Sequence, residues 1–340
     1  MENKIDKSNL RRVILDSPNQ IADGLNLSKN IDVKGDFKSI TISGMGGSAL
    51  PGNVLRVFVN NVLQNSEKKR LPIFHCRSYT LPPEAYEDSL NIIVSYSGNT
   101  EETISAFNEA LKNNLTCVGI SNGGKIEEMC KENNVPHVKL PYPYENFQPR
   151  TATGYIVFSI FQILINVGLI DDVSSDILAI VDNLKKKVIE LENRGKNLAK
   201  KLVGKTPIIY TTTKFKPLAM IWKIKINENS KTPAFYHYFP ELNHNEMVGF
   251  TNPQAKFFFI MLRDMEAHPQ ILKRFEITSE LMKKRGMESE IIDIEGKSLL
   301  EKMWSALYLG DWVSYYLALE YGQDPTPVDM VEEFKDLVKD

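Results

Sequence analysis

The 340-residue sequence has little cysteine, no long uncharged hydrophobic run and no large excess of charge of either sign. Cys76, Cys117 and Cys130 are odd in number and lack C-x-x-C spacing, which argues against a disulfide or zinc framework. We therefore expect buried or reduced thiols in a cytoplasmic protein. No stretch reaches the roughly 18 uncharged apolar residues of a membrane-spanning helix. The polar start, MENKIDKSNLRR, shows no hydrophobic signal-peptide core.

The charge and composition narrow the class of protein further. A formal net charge of −2 predicts binding neither to nucleic acid nor to an anionic membrane surface. The five histidines show no H-x-x-x-H or mixed His/Glu spacing, so we expect no metal site. With 42% hydrophobic and 25% charged residues the chain has an ordinary globular composition. Its length favours two domains of roughly 150 residues each.

Short β-rich runs alternate with helical patterns in both halves of the chain, which predicts α/β domains with doubly wound parallel sheets. We expect the first domain at residues 20–175, a charged linker helix at 176–204, and a second domain with a C-terminal helix at 205–340. The strand candidates are Ser39–Ser43, Pro72–Cys76, Leu90–Ser95, Thr116–Ser121, His137–Leu140, Pro207–Thr212, Ala255–Leu262 and Ser289–Ile294.

Two loops of the first half share one design. GMGGS at 44–48 and SYSGNTEET at 95–103 each follow an apolar strand, and each combines glycine with hydroxyl groups at the start of a helix. Glycine lets backbone N–H groups approach a ligand, and a helix N-terminus offers unpaired donors and the positive end of a dipole. The loops therefore predict a phosphate site, in which Ser95, Ser97 and Thr100 donate O–H groups.

Two other interpretations of these loops stay open at this point. Gly44, Gly46 and Ala49 fit the G-x-G-x-x-[G/A] dinucleotide pattern, but the second strand ends in HCRS, without the acidic residue that holds a ribose. In SGNTEET, Thr100 or Asn99 is also suited to cap the following helix, with acidic residues favoured in its first turn.

The pair SGMGGS and SYSGNTEET resembles the phosphosugar-binding loops of the sugar isomerase (SIS) domain, and the chain resembles two such domains in tandem. The stretches QPRTATGY at 148–155, IWKIKINENSK at 221–231 and PELNHNE at 240–246 resemble the bifunctional phosphoglucose/phosphomannose isomerases of archaea and some bacteria. The closing YGQDPTPVDMVEEFKDLV at 321–338 fits the same family. The resemblance implies flavodoxin-like three-layer sandwiches, hexose-phosphate isomerase activity and no bound dinucleotide or other cofactor.

The resemblance also implies roles for individual residues. Glu228 matches the carboxylate base that moves a proton between C2 and C1, and Arg150 is placed to stabilise the enediolate. His244 matches the histidine that assists ring opening, which in the family typically comes from the partner subunit of a homodimer. Lys335 matches a C-terminal lysine that reaches the sugar, with Lys339 as a nearby alternative.

The remaining assignments concern substrate binding. The resemblance implies that Thr326 lines the C1–C2 end of the sugar. The loop residues assigned to the phosphate are Gly46, Gly47, Ser48, Ser95, Ser97 and Thr100. Two alternatives keep the fold and change the function: a non-catalytic sugar-phosphate sensor, or an SIS enzyme acting on another sugar phosphate. The joint presence of Glu228, His244 and Arg150 favours the hexose-phosphate isomerase.

Overall fold

The computed structural model describes residues 4–64 and 71–338. The chain divides into two compact units. The first unit is Asp16–Lys185, and the second unit combines Met1–Leu15 with Lys186–Asp340. The boundary falls inside a long helix, and the domain limits inferred from the sequence stay predictions.

The first unit is built on a five-stranded parallel sheet of order β2-β1-β3-β4-β5. Its strands are β1 (Ser39–Ser43), β2 (Ile73–Cys76), β3 (Ser89–Val94), β4 (Cys117–Ser121) and β5 (His137–Lys139). The helix α1 (Leu10–Asp16) belongs almost entirely to the second unit. The helices that begin in the first unit are α2 (Asn19–Leu27), α3 (Leu50–Gln64), α4 (Glu101–Lys112), α5 (Gly124–Glu132), α6 (Thr153–Asn166), α7 (Ser174–Ala179) and α8 (Val181–Leu202). The last of these continues into the second unit.

The central strands of this sheet are buried along their whole length, because helices occupy both faces. Some of their few polar side chains form buried hydrogen bonds. The hydroxyls of Thr41 and Ser89 lie 3.0 Å apart on adjacent strands, and the Asn91 amide donates to the Ala85 carbonyl at 3.0 Å. Strands of this kind fix the positions of the loops at their carboxyl ends.

The second unit has a four-stranded parallel sheet of order β7-β6-β8-β9. Its strands are β6 (Thr206–Thr212), β7 (Phe235–Phe239), β8 (Phe257–Arg263) and β9 (Glu288–Asp293), and its further helices are α9 (Lys216–Ser230), α10 (Pro269–Lys284), α11 (Leu299–Glu320) and α12 (Asp329–Val338). Aromatic rings dominate one core of this unit, as in the contacts of Phe239 with Tyr210 and Phe275.

The predicted α/β class with parallel sheets is confirmed. The strand β7 is not among the predicted strands, and it lies at the sheet edge beside β6. All three cysteines are free and buried, as expected. Burial raises the pKa of the Cys117 and Cys130 thiols to about 12. Of the helices in the described part of the chain, none is long and apolar enough to cross a bilayer.

Candidate active site

The two candidate phosphate loops lie side by side, because β1 and β3 are hydrogen-bonded neighbours in the first sheet. The backbone N–H of Tyr96 donates to the Ser48 hydroxyl at 3.0 Å, which ties the second loop to the first. Ser48 and Ser95 are both buried. Since Ser48 accepts this bond, its own proton stays available for a phosphate oxygen.

The loop after β3 carries one buried, one half-buried and one exposed hydroxyl, those of Ser95, Thr100 and Ser97. The Ser95 and Thr100 hydroxyls are 2.9 Å apart, and the exposed Ser97 accepts from the Asn99 N–H at 3.3 Å. Thr100 occupies the cap position of α4 but forms no capping hydrogen bond through its side chain. The Asn99 side chain accepts from Lys125 N–H instead. The capping interpretation is therefore right about Thr100 as the cap residue and wrong about a capping bond from its side chain, and the first turn of α4 keeps donors for an anion.

Gly98 fixes the shape of this loop. Its φ is +74°, and a Cβ there would lie 1.7 Å from the carbonyl oxygen of Gly123. The Gly98 carbonyl also accepts from the Ile126 N–H at 3.0 Å. The loop is thus packed directly on the start of α5, an approach that a residue with a side chain would prevent.

Arg150 approaches the first loop through a second glycine. A Cβ on Gly47 would lie 2.7 Å from the Arg150 nitrogen and 2.8 Å from the Pro149 carbonyl carbon. Arg150 sits in a 3-10 turn at Pro149–Thr151, only 2% exposed, and donates to Gln148 Oε1 at 3.3 Å. Gly47 therefore lets the arginine backbone contact the Gly46–Ser48 turn.

Gln20 holds the segment that follows Arg150, a role that the sequence did not indicate. From α2 it donates to the Thr151 carbonyl at 2.8 Å and accepts from the Gly154 N–H at 3.1 Å. The bonds span more than 130 residues of chain. No local pattern signals such a contact, whereas the buried apolar run of α6 is visible in the sequence.

Glu228 lies in the last turn of α9, half-buried. The neighbouring face of the helix packs on α11. The Trp222 indole donates to the Ala306 carbonyl at 2.8 Å, and Lys225 forms a buried ion pair with Asp311. Glu228 therefore projects from a helix whose position is fixed by buried polar bonds.

The polar residues around Glu228 are structural anchors. Asn227 accepts from the Ala234 N–H at 3.0 Å, Asn229 donates to the Ser314 hydroxyl at 2.9 Å, and Ser230 donates to the Ser314 carbonyl at 2.8 Å. The NENS motif thus combines one projecting carboxylate with flanks that hold the helix end.

His244 is exposed on the loop after β7, and its neighbours hold that loop. Asn243 donates to Thr278 Oγ1 at 3.0 Å and accepts from Arg274 at 3.1 Å. Asn245 donates to Glu241 Oε1 at 2.7 Å. The imidazole of His244 is thereby presented outward from a fixed backbone.

Glu246 attaches the same loop to the sheet. It accepts from the Tyr210 hydroxyl at 2.7 Å, and its other oxygen is 3.6 Å from His237 Nε2. Burial, followed by the Glu246 charge, raises the Tyr210 pKa, so the phenol stays a hydrogen-bond donor. The His237 Nδ1 accepts from the Tyr238 N–H at 2.8 Å. His237 is therefore part of this anchor.

The remaining candidates lie near the C-terminus. Thr326 is 4% exposed, and its N–H donates to Asp324 Oδ1 at 3.1 Å. Lys335 lies on α12, whose residues are all outside the core. Its ammonium is 2.7 Å from Glu332 Oε1 and is largely exposed. Lys339, the alternative to Lys335, lies outside the described residues.

The candidates thus form two sets. The first unit brings the hydroxyl loops and Arg150 together. The second unit carries Glu228, His244, Thr326 and Lys335 on separate elements. Within residues 4–64 and 71–338, three or more His, Cys, Asp or Glu side chains are nowhere grouped as a metal site requires.

Comparisons with known proteins bear on the family and the fold of the chain. The family described as bacterial phospho-glucose isomerase C-terminal SIS domain matches residues 191–338. The C-terminal domain of glucosamine-fructose-6-phosphate aminotransferase from Francisella tularensis shares the fold, with a TM-score of 0.69 at 15% identity over 95% of this chain and 98% of that one.

Two proteins named bifunctional phosphoglucose/phosphomannose isomerase are similar along nearly the whole chain. That of Caldicellulosiruptor bescii is 39% identical over 94% of this chain and 95% of its own. That of Aquifex aeolicus is 35% identical over 89% of this chain and 91% of its own. With this identity and coverage, the chain belongs to the bifunctional phosphoglucose/phosphomannose isomerase family.

Proposed function

We propose that the protein is an aldose–ketose isomerase that interconverts glucose 6-phosphate and mannose 6-phosphate with fructose 6-phosphate through a cis-enediol. The observation that carries the proposal is the Gly47 contact with Arg150 beside the Ser48–Tyr96 bond. It brings the backbone of the buried Arg150 against the loop that carries Ser48, which supports a role for both in one site. The names of the two relatives described above point to the same reaction.

In this proposal the substrate phosphate binds the two loops of the first unit. The hydroxyls of Ser48, Ser95, Ser97 and Thr100 donate to its oxygens, and the open first turn of α4 adds backbone N–H donors. Gly46 and Gly47 let the chain approach the ligand closely. Binding of the phosphate thereby orients the sugar. The phosphate itself does not react, because C1 and C2 lie at the other end of the substrate.

Glu228 acts as the base. It removes the C2 proton of the open-chain aldose as the carbonyl at C1 becomes a hydroxyl, and it returns a proton to C1 as the C2 oxygen becomes the ketone. Negative charge develops on the enediolate oxygens between these steps. The always-charged Arg150 guanidinium stabilises that charge, and its burial makes the interaction stronger than it is in water.

His244 and Lys335 act on the ring form of the sugar. His244 transfers a proton to the ring oxygen during ring opening, and Lys335 contacts the ring oxygen and hydroxyls. Thr326 lines the C1–C2 end and leaves room for either C2 epimer. We propose a cytoplasmic homodimer in which each His244 completes the site of the other subunit. The exposure of the imidazole on an anchored loop supports that arrangement.

A coupled assay with each aldose phosphate tests the reaction. The wild-type protein should convert both, and Glu228→Gln should lower kcat by about 10³-fold or more, because the proton transfer loses its base. Glu280→Gln, an isosteric change at an exposed site on α10, is the matched control and should keep wild-type rates. A wild type that converts neither substrate would overturn the proposed function; full activity of Glu228→Gln would overturn the base assignment.

Subunit mixing tests the shared site. Glu228→Gln and His244→Ala should each be inactive alone, and a refolded one-to-one mixture should regain about a quarter of wild-type activity, since half of the dimers then carry one complete site. No recovery in confirmed mixed dimers would place His244 in its own subunit's site. Because acid–base side chains suffice for this chemistry, activity should survive prolonged EDTA, and a loss that zinc restores would contradict the cofactor-free mechanism.

A further inference from the structure

Lys231 ends α9 in a left-handed conformation that is unusual for its residue type. Its φ is +54° and its ψ is 34°. In the described part of the chain, the other non-glycine residues with positive φ are Asn9, Asp88, Asn114, Asn134 and Asn146. Asparagine and aspartate tolerate this region through local hydrogen bonds, and helices usually place glycine there. A lysine at this position indicates that its side chain makes interactions that glycine or asparagine could not provide.

The side chain of Lys231 folds back on the helix that it ends. Its ammonium donates to the carbonyl oxygens of Glu228 at 2.8 Å, Asn229 at 3.2 Å and Asp324 at 2.8 Å. An ammonium has three donors, and three carbonyls from two segments receive them. The first two belong to the last turn of α9, where carbonyls lack helical partners and a cation is favoured by the helix dipole.

The third bond extends the connection to the substrate end of the site. Asp324 accepts from Lys231 through its carbonyl and from the Thr326 N–H through its side chain, at 3.1 Å. Thr326 is 4% exposed and therefore held firmly. One ammonium thus fixes the peptide group of Glu228 relative to the segment that holds Thr326, through a bond between Lys231 and Asp324 that spans 93 residues of sequence.

A helix end elsewhere in the second unit shows what capping alone requires. After α8, Gly204 takes the left-handed conformation at φ +73°, and the next residue, Lys205, donates to the Lys201 carbonyl at 2.8 Å. There, glycine adopts the left-handed conformation, and the neighbouring lysine supplies the ammonium that binds a carbonyl of the last turn. At the end of α9 one residue does both and also binds a distant segment.

We propose that Lys231 is a positioning residue for the isomerisation, which aligns the base Glu228 with the Thr326 segment that contacts the C1–C2 end of the sugar. The proposal rests on the proposed function, because Lys231 acts through these two residues. It predicts that Lys231 affects the rate of proton transfer and the discrimination between C2 epimers more than it affects phosphate binding.

The substitution Lys231→Gly separates positioning from capping. Glycine suits the left-handed backbone, so the melting temperature should stay within a few degrees of wild type. Loss of the ammonium should lower kcat by about ten- to a hundred-fold, since small displacements of a reacting group reduce rates strongly. KM should change less than about three-fold, and the mannose-to-glucose rate ratio should shift by about three-fold or more. Lys205→Met, which removes the other lysine–carbonyl bond, is the matched control and should keep kcat.

The other outcomes are informative. Lys231→Arg, which keeps a cationic donor, should recover part of the lost kcat. If Lys231→Gly and Lys231→Asn keep wild-type kcat and the wild-type rate ratio, Lys231 is a helix cap and the inference is wrong. A fall in melting temperature of more than about 10 °C in both would make it a stability residue and would also overturn it. A wild type inactive on both sugars would instead overturn the proposed function, and this inference with it.

Discussion

The carboxyl edges of the two parallel sheets have opposite chemistry. In the first sheet, β1 and β3 lead into loops of glycine and hydroxyl side chains, and the Ser48–Tyr96 bond joins them. In the second sheet, β8 leads into the buried Asp264, which lies 3.0 Å from the Lys302 ammonium. Lys302 is also 2.7 Å from Glu266.

The second edge is therefore neutralised by its own side chains. Arg263 at the end of β8 binds Asp293 at the end of β9, with 2.6 Å between Nε and Oδ1. A phosphate at this edge would meet carboxylates whose cations are already paired. The two sheets share a parallel topology, which places loops at the carboxyl edge of each. The residues of those loops decide whether the edge is suited to bind an anion or stabilises the fold through its own ion pairs.

Substituting crowded and open glycines gives the sharpest test of this contrast. Gly98 and Gly204 share nearly the same φ, +74° and +73°, but a Cβ meets Gly123 only at the first; at Gly204 nothing lies within 4 Å. Gly98→Ala should destabilise the protein by more than about 4 kcal/mol and abolish isomerase activity, because the phosphate loop must leave α5. Gly204→Ala should cost about 1 to 2 kcal/mol through left-handed strain alone, with kcat unchanged. Urea unfolding and the coupled assay measure both, and equal effects would contradict the specific shape of the first edge.

Breaking the ion cluster tests the second edge. Lys302→Met leaves Asp264, 3% exposed, with Lys214 at 3.9 Å as its remaining ion-pair contact in the described chain. We expect a loss of roughly 3 kcal/mol in the free energy of unfolding, since a buried charge loses its partner. KM for the sugar phosphates should stay within two-fold. Lys34→Met, which removes an exposed pair with Asp32, should cost less than about 1 kcal/mol. A raised KM in Lys302→Met would instead assign substrate binding to this edge.

The sequence predicts the buried central strands of the sheets better than it predicts the edge strand β7. Apolar β-branched runs such as those of β1 and β3 mark buried parallel strands, and the predicted ranges agree with them to within one residue. The edge strand FYHYF at Phe235–Phe239 was missed because its residues are mostly half-exposed and show no alternation of apolar and polar types. The other edge strands, β2, β5 and β9, overlap predicted strands, so an edge position alone does not hide a strand.

The site shows the same limit. Motifs identify Ser48, Glu228 and His244 as chemical candidates, but several of the bonds that shape their surroundings join residues far apart in the sequence. Tyr96 reaches Ser48 across 48 residues, and Lys231 reaches Asp324 across 93. Such bonds depend on the packed elements and not on spacing in the sequence. The asparagines beside Glu228 illustrate this: in the motif they accompany the base, and in the structure they anchor α9.

Acid pH should weaken the first sheet through His75 on β2. Burial, followed by the charges of Arg77 and Arg56, lowers the His75 pKa from 6.5 to about 4. Between these values the unfolded chain binds the proton and the folded one does not, so stability falls as the pH drops from about 6.5 to about 4. The expected loss is about 3 kcal/mol at the acidic end. His75→Asn should flatten this part of the curve in urea unfolding at several pH values. An unchanged slope would remove His75 as the cause.

Removing single hydroxyl groups should have the smallest effect, but it compares the carboxyl edges of the two sheets most directly. Ser95→Ala removes a buried hydroxyl at the end of β3, and Thr212→Val removes one at the end of β6 that accepts from the Phe215 N–H at 3.4 Å. A hydrogen bond to a charged group contributes about 1.5 to 3 kcal/mol, so Ser95→Ala should raise KM for both aldose phosphates about 10- to 100-fold. Because the phosphate is bound equally in the ground and transition states, kcat should change much less. Inorganic phosphate should weaken as a competitive inhibitor by the same factor. Thr212→Val should alter neither constant; if both substitutions raise KM alike, the two edges do not differ in the way that their loops indicate.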